Sequence, residues 1–246
     1  MTSDLPKLAS VYSTTFLRFA YDAWVLGISN HLAWKVPTSR LRTFFETHVK
    51  GNHLEAGVGT GFYPDRCRFP VDRPKLTLVD VNPNCLAVAS RRPARFKPTV
   101  VVSDLMHPLP LPEAAFQSIH LGYLLHCLPG PTERKGSVLE HLAPHLAPGG
   151  VLFASTLLPK GGNGFARFLT SFYNRRGIFG NAGDTLEGPR IRPEWTKNHP
   201  QGNDRSWRVL PPLQGCGPFA LPAVQAGGTP TLAQPGIKPS CSWLCW

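Results

Sequence analysis

The stretch "HLEAGVGTGFY", His53 to Tyr63, sets a carboxylate, Glu55, just ahead of three alternating glycines, Gly57, Gly59 and Gly61. Glycine costs backbone entropy on folding, so a cluster of it in one turn means that something must approach the main chain closely. Two more carboxylates, Asp80 in "KLTLVDVNP" and Asp104 in "VVSDL", close later apolar runs. A carboxylate at a strand end can accept hydrogen bonds from both hydroxyls of a ribose. His126, in "YLLHCL", brings a side chain with a pKa near neutrality, suited to general-base work. Together these residues point to a nucleoside held by a turn and carboxylates, beside a group able to handle a proton.

Those residues need a scaffold of strands ending at one edge. "HLEAG", "KLTLVDVNP", "PTVVVSDL", "AAFQSIHLGYLL" and "VLFASTLL" are five short apolar runs. Helix-length segments separate them, among them "NCLAVASRR" and "PTERKGSVLEHLAPHL", the latter broken by Pro144. That alternation predicts βαβ units and an α/β fold: a parallel sheet with helices on both faces. Ligands of such sheets bind beyond the carboxyl ends of the strands. Residues 8–49 read as helical, with Phe16, Phe19, Ala20, Ala23 and Trp24 at spacings of three and four. Thr38 or Ser39 is the expected cap of a helix whose apolar face carries Leu41, Phe44, Phe45 and Val49. The organisation that follows is a helical cap over 1–50, a nucleoside-binding α/β domain over 51–188 and a tail over 189–246.

Composition narrows the function classes. The net charge of +11 is spread over single and paired basic residues, with no Lys/Arg block, which argues against nucleic acid as a partner. No apolar run is long enough to span a bilayer, and none is followed by a cleavage signal, so a cytoplasmic protein without membrane attachment is expected. The six cysteines lack metal-ligand spacing, and no metal site is expected. Past Gly188 the text changes: ten of the 26 prolines and four of the six tryptophans fall in Pro189–Trp246, with only Glu194 and Asp204 acidic. Such a segment buries too little apolar surface to offset its ordering entropy and reads as unstructured.

Two cofactor classes compete for the glycine turn. A dinucleotide fold wants a third glycine where Phe62 stands, and Glu55 would repel a pyrophosphate. An acidic residue there suits a ligand bearing an ammonium and a sulfonium instead. Glu-x-Gly-x-Gly-x-Gly followed by Asp80 resembles motif I and its successor in class I S-adenosylmethionine-dependent methyltransferases, which have a Rossmann-like fold. "VYSTTFLRFAYDAWVLGISNHLAW", "LVDVNPNCLAVASRR", "YLLHCLPG", "HLAPGGVLFASTLL" and "YNRRGIFGNAGDTLEG" resemble fungal-type small-molecule members of that class, often tied to secondary metabolism.

The resemblance covers roughly residues 10–188 and implies methyl transfer from S-adenosylmethionine to a small organic acceptor. It places Glu55, Gly57, Gly59, Gly61, Asp80 and Asp104 at the cofactor, with Asp104 near the adenine amino group. Tyr12 and Tyr21 would close over its methionine end, and His126 would serve as base. The Asn-Pro-Pro-aromatic signature of amino-group methyltransferases is absent from "HLGYLL", which favours oxygen or carbon acceptors. Where those relatives complete the sheet with an antiparallel strand pair, this chain reads "PRIRPEWTKNHPQGNDRSW", and the pair is expected to be missing. A shifted reading frame or a retained intron would produce that break. The rival readings are a catalytically impaired binding partner of the same fold and an NAD-dependent oxidoreductase.

Overall fold

The computed structural model describes residues 21–159 and 162–184 and three short strands within 208–225. Tyr12, the helical run expected over 8–20 and most of 189–246 lie outside the described residues. Five parallel strands, β1 (Asn52–Ala56), β2 (Lys75–Asp80), β3 (Thr99–Val102), β4 (Phe116–Gly122) and β5 (Leu146–Leu157), lie in the order β3-β2-β1-β4-β5. The order reverses between β1 and β4, so the glycine turn that follows β1 sits at the switch point, where a crevice opens.

Strand alternation sorts the core into two faces. Leu54 and Ala56 of β1 join Val79, Ile119, Leu121, Leu152 and Ala154 under helix α5 (Thr132–Leu142), which contributes Val138, Leu139 and Leu142. The other face packs against helices α2 (Thr38–His48), α3 (Phe62–Arg66), α4 (Pro83–Ala89) and α6 (Gly164–Arg175). Helix α2 buries Leu41, Phe44 and Phe45 as its spacing predicts, and Asn82 caps α4 through its side chain on the Asn84 amide. Among the described residues, no helix is long and apolar enough to cross a membrane.

Several sequence expectations need correction. The chain from β3 to β4, residues 103–115, carries no helix; Pro108, Pro110 and Pro112 remove donors that a helix would need. Pro148-Gly149-Gly150 lies inside the long β5, where the pairing with β4 shifts register. Thr38 does not cap α2: its hydroxyl donates to the Leu26 carbonyl and accepts from Asn30 Nδ2 at 2.9 Å. The antiparallel strand pair is not missing. Strand β6 (Arg208–Leu210) pairs with β8 (Ala223–Gln225), which lies antiparallel on β5, and β7 (Phe219–Ala220) also pairs with β5. Three-residue strands are too short to show a period among so many prolines.

Helix α1 (Asp22–Ser29) is wound with i→i+5 bonds, as in the Asn30 amide to the Val25 carbonyl, a winding common near functional sites. Asp22 latches it over the glycine turn. Its Oδ1 accepts from the Thr60 hydroxyl at 2.7 Å and its Oδ2 from Arg92 Nη1 at 2.6 Å. Arg92 also reaches Asp65 at 3.6 Å, so it is a tie between elements and not the solvated helix-end charge its position at the end of "NCLAVASRR" implies.

Gly61 binds these parts together. With φ at +73°, a Cβ there would stand 2.7 Å from the Ala89 carbonyl oxygen of α4, whereas one at Gly59 would meet nothing within 4 Å. Gly61→Ala is expected to destabilise the fold by about 1–3 kcal/mol from backbone conformation alone, with the clash added. Gly59→Ala should cost distinctly less in urea-unfolding midpoints; equal losses would contradict this division of labour.

Candidate functional site

The donor half of the site grows from the ends of β1 and β2. The Gly57 amide donates to the Val79 carbonyl at 2.8 Å, and Asp80 holds the next residue: its Oδ2 accepts from the Val58 amide at 3.0 Å. Oδ1 accepts from the Asn82 amide at 2.8 Å. Burial pushes the Asp80 pKa up to about 6, and the amides of Asn82, Val58, Val81 and Gly59 restrain the rise. Asp104 stands exposed beyond β3 in a local turn, its Oδ1 accepting from the Met106 amide at 2.9 Å.

Glu55 is where the sequence reading needs its main correction. It does not face the turn. Only 2% exposed, it accepts from His53 Nε2 at 3.1 Å and from His120 Nδ1 at 2.9 Å. Burial alone would raise its pKa, but the His120 and His53 rings outweigh it and hold the carboxyl below the usual range. Burial lowers the pKa of His53, whose Nδ1 pairs with the Ser118 hydroxyl at 2.8 Å, so this ring is a neutral link in the chain. Glu55 thus braces the turn from below. The signal was present in the text as alternation: residues 53 and 55 share a strand face, but His120 joins them only through the β1–β4 register.

The second half is a cavity of about 280 Å³ whose lining includes Tyr21, Trp24, Trp34, Tyr123, His126 and Phe179. Tyr21 also packs against the α4 cluster, which puts it at the boundary with the glycine turn. Most polar atoms in this wall are committed. Trp24 Nε1 donates to the Tyr173 hydroxyl at 2.8 Å, and the Tyr123 hydroxyl donates to Asn30 Oδ1 at 2.7 Å. The Ser29 hydroxyl lies against the Trp24 and Val25 carbonyls. Of the aromatic stripe Phe165, Phe168, Phe172 and Tyr173, only Tyr173 lines the cavity; Phe168 is 59% exposed.

His126 lies in the cavity wall, as expected, but with the wrong nitrogen arrangement for a base. The Leu157 amide approaches Nδ1 at 3.3 Å and can only donate, so the neutral ring carries its proton on Nε2. Burial, reinforced by the nearby Lys135 charge, pulls the His126 pKa down to about 3. The ring is a neutral donor.

Comparison with known proteins settles the class. Over 181 residues the chain is 40% identical to demethylluteothin O-methyltransferase of Streptomyces thioluteus, covering 73% of this chain and 78% of that one. It belongs to the S-adenosylmethionine-dependent methyltransferases. The physcion biosynthesis cluster O-methyltransferase of Aspergillus chevalieri is 36% identical over 193 residues, covering 74% of this chain and 86% of that one. The family model described as "Methyltransferase domain" matches residues 54–152.

Solved structures share the fold. The N-methyltransferase NodS from Bradyrhizobium japonicum, in complex with S-adenosylhomocysteine, superposes with a TM-score of 0.56 at 16% identity, covering 89% of this chain and 98% of that one. The DhpI–S-adenosylhomocysteine complex gives 0.55 at 16% identity, with 91% and 97% covered. The family's cofactor is S-adenosylmethionine, and the turn fits it: space opens at Gly59, where a Cβ would meet no protein atom, beside the buried Asp80 carboxylate. Neither the oxidoreductase nor the impaired binding partner finds support.

The His126 environment has a measurable consequence. Between about pH 3 and 6.5 the folded protein binds fewer protons at this ring than the unfolded chain does, so its contribution to stability falls as pH drops through that window. NMR of the His126 ring should show no titration between pH 5 and 8, with Nε2 protonated throughout; a midpoint near 6.5 would restore it as a candidate base.

Proposed function

We propose that the protein methylates the oxygen of an acidic hydroxyl, a phenol or enol, on a small flat molecule. The observation that carries this is the kind of polar group facing the cavity. His126 has a proton to give on Nε2, and the Tyr173 hydroxyl, already accepting from Trp24, has its own proton to give. Two donors and aromatic walls favour an acceptor that arrives as an oxyanion on a ring system. An amine would meet donors where it needs an acceptor, and an alkanol would meet no base to ionise it. This replaces the base role given to His126 with that of an oxyanion donor. The names of the two relatives given above, both O-methyltransferases, support an oxygen acceptor.

Bound S-adenosylmethionine supplies an electrophilic methyl group on a sulfonium. The protein's share is placement and exclusion of water. Asp80 accepts from the ribose hydroxyls, Asp104 sits toward the adenine, and Tyr21 closes the boundary between the two halves. Because the acceptor's charge is consumed as the methyl moves, orientation contributes more than any reactive side chain would.

The test is a panel of phenols graded in acidity, with an alkanol and an amine of matched size. Rates should follow the phenolate fraction, and His126→Phe should raise KM for phenols by about tenfold, the loss of one hydrogen bond to a charged group. Turnover of the amine at a phenol's rate would overturn the reading. For the donor half, Asp80→Ala should weaken S-adenosylhomocysteine binding by about 1–3 kcal/mol. Since ribose donors favour ionised Asp80, affinity should also fall as pH drops below about 6, with proton release on binding in calorimetry. A flat profile from pH 5 to 7 would remove Asp80 from the ribose.

A further inference from the structure

A buried ion pair lies behind the acceptor cavity, outside the residues that touch it. Lys135 of α5 is fully buried, and its three ammonium protons meet three oxygens: Gly180 O at 2.9 Å and Asp184 Oδ1 and Oδ2 at 2.9 and 2.7 Å. The Thr132 hydroxyl adds a bond to Asp184 at 3.2 Å. Pairs of this kind seldom raise stability, because desolvating two charges offsets their attraction, and apolar pairs of similar volume often serve as well. What a fully satisfied pair does supply is one geometry.

The geometry belongs to the strap Gly177–Asp184, which carries Ile178 and Phe179 into the cavity wall. Every turn of the strap is tied. The Ile178 amide donates to the Tyr173 carbonyl at 2.9 Å and the Gly180 amide to the His126 carbonyl at 2.8 Å. Asn181 donates to the Leu157 carbonyl at 2.9 Å. Gly180 passes so close to Leu128 that a Cβ there would overlap its carbonyl oxygen. Phe179 meets the His126 ring edge-on at 4.5 Å and the Tyr173 ring at 4.8 Å, so the strap's position sets both donors.

We infer that Lys135 is a positioning residue for the acceptor: through Asp184 and Gly180 it fastens the strap that presses Phe179 against His126 and Tyr173, and so sets which ring widths the cavity admits. The inference rests on the phenol or enol reading above. It is tested with Lys135→Met/Asp184→Leu, which removes both charges without orphaning either. Calorimetry measures S-adenosylhomocysteine binding, and then phenol, naphthol and anthrol binding to the loaded protein. The double variant should keep the S-adenosylhomocysteine Kd within about twofold, weaken naphthol at least tenfold and narrow the preference among the three ring widths. Unchanged naphthol affinity and preference, or parallel loss of S-adenosylhomocysteine, would overturn it. If the double variant does not fold, Asp184→Asn, which keeps the shape and one acceptor oxygen, is read by the same measurements and the same criteria. Failure of wild-type protein to bind any of the three phenols falls on the acceptor reading and removes this one with it, whereas a failure confined to the variant-to-wild-type ratio falls on the strap alone.

Discussion

The carboxylate of Asp80 is the constraint on which the donor half depends. It closes β2, yet its two oxygens hold the amides of Val58 and Asn82, so one side chain sets the path of the glycine turn and the start of α4. A carboxylate taken out of water needs several donors to remain ionised at neutral pH. Backbone amides around the turn supply them, yet burial still keeps the pKa high near 6. A ligand's paired hydroxyls would add donors that favour the ionised form further. Gly61 locks the far end of the same turn onto Ala89, and Asp22 locks its middle to α1 through Thr60. The turn is therefore held at three points before any ligand arrives, and little ordering entropy is left for binding to overcome.

Below the turn, the His53–Glu55–His120 chain does a different task with the same kind of group. A lone buried carboxylate would be costly, but here each oxygen has a ring N–H and the chain runs on through Ser118 to the Lys50 amide. Phe45, Tyr63 and Phe153 surround the rings and keep water out. An acid conspicuous in the text as a ligand contact is thus a structural brace, and the distinction turns on which face of β1 it occupies.

What was legible follows from the range of each interaction. The five parallel strands, the glycine turn and the α2 face are set by neighbours a few residues apart, so period and spacing revealed them. Asp22 and Arg92 take their roles from partners 38 and 70 residues away, so no local pattern marks them. On α6 the aromatic spacing is helical, but Phe168 and Phe172 stack on each other at the surface while Ala166 and Leu169 enter the core. His126 was correctly placed at the cavity, yet its role depends on the Leu157 amide, a main-chain donor that no residue type encodes.

The two halves of the site meet opposite electrostatic demands. On the reading proposed above, the donor half would hold a cation with carboxylates and backbone. The acceptor half must hold the partner that will neutralise that cation, and a strongly cationic pocket there would oppose the donor. Neutral donors would avoid the conflict: a histidine kept unprotonated by burial and by Lys135, and a tyrosine hydroxyl accepting from Trp24, would stabilise an oxyanion without adding charge beside the sulfonium. In an apolar cavity such dipoles act with less screening than in water. The fully bonded Lys135 then has a second effect. Its positive charge adds to burial in keeping His126 neutral, while Asp184 and the Gly180 carbonyl accept its hydrogen bonds, so an acceptor there would feel the strap's shape more than its charge.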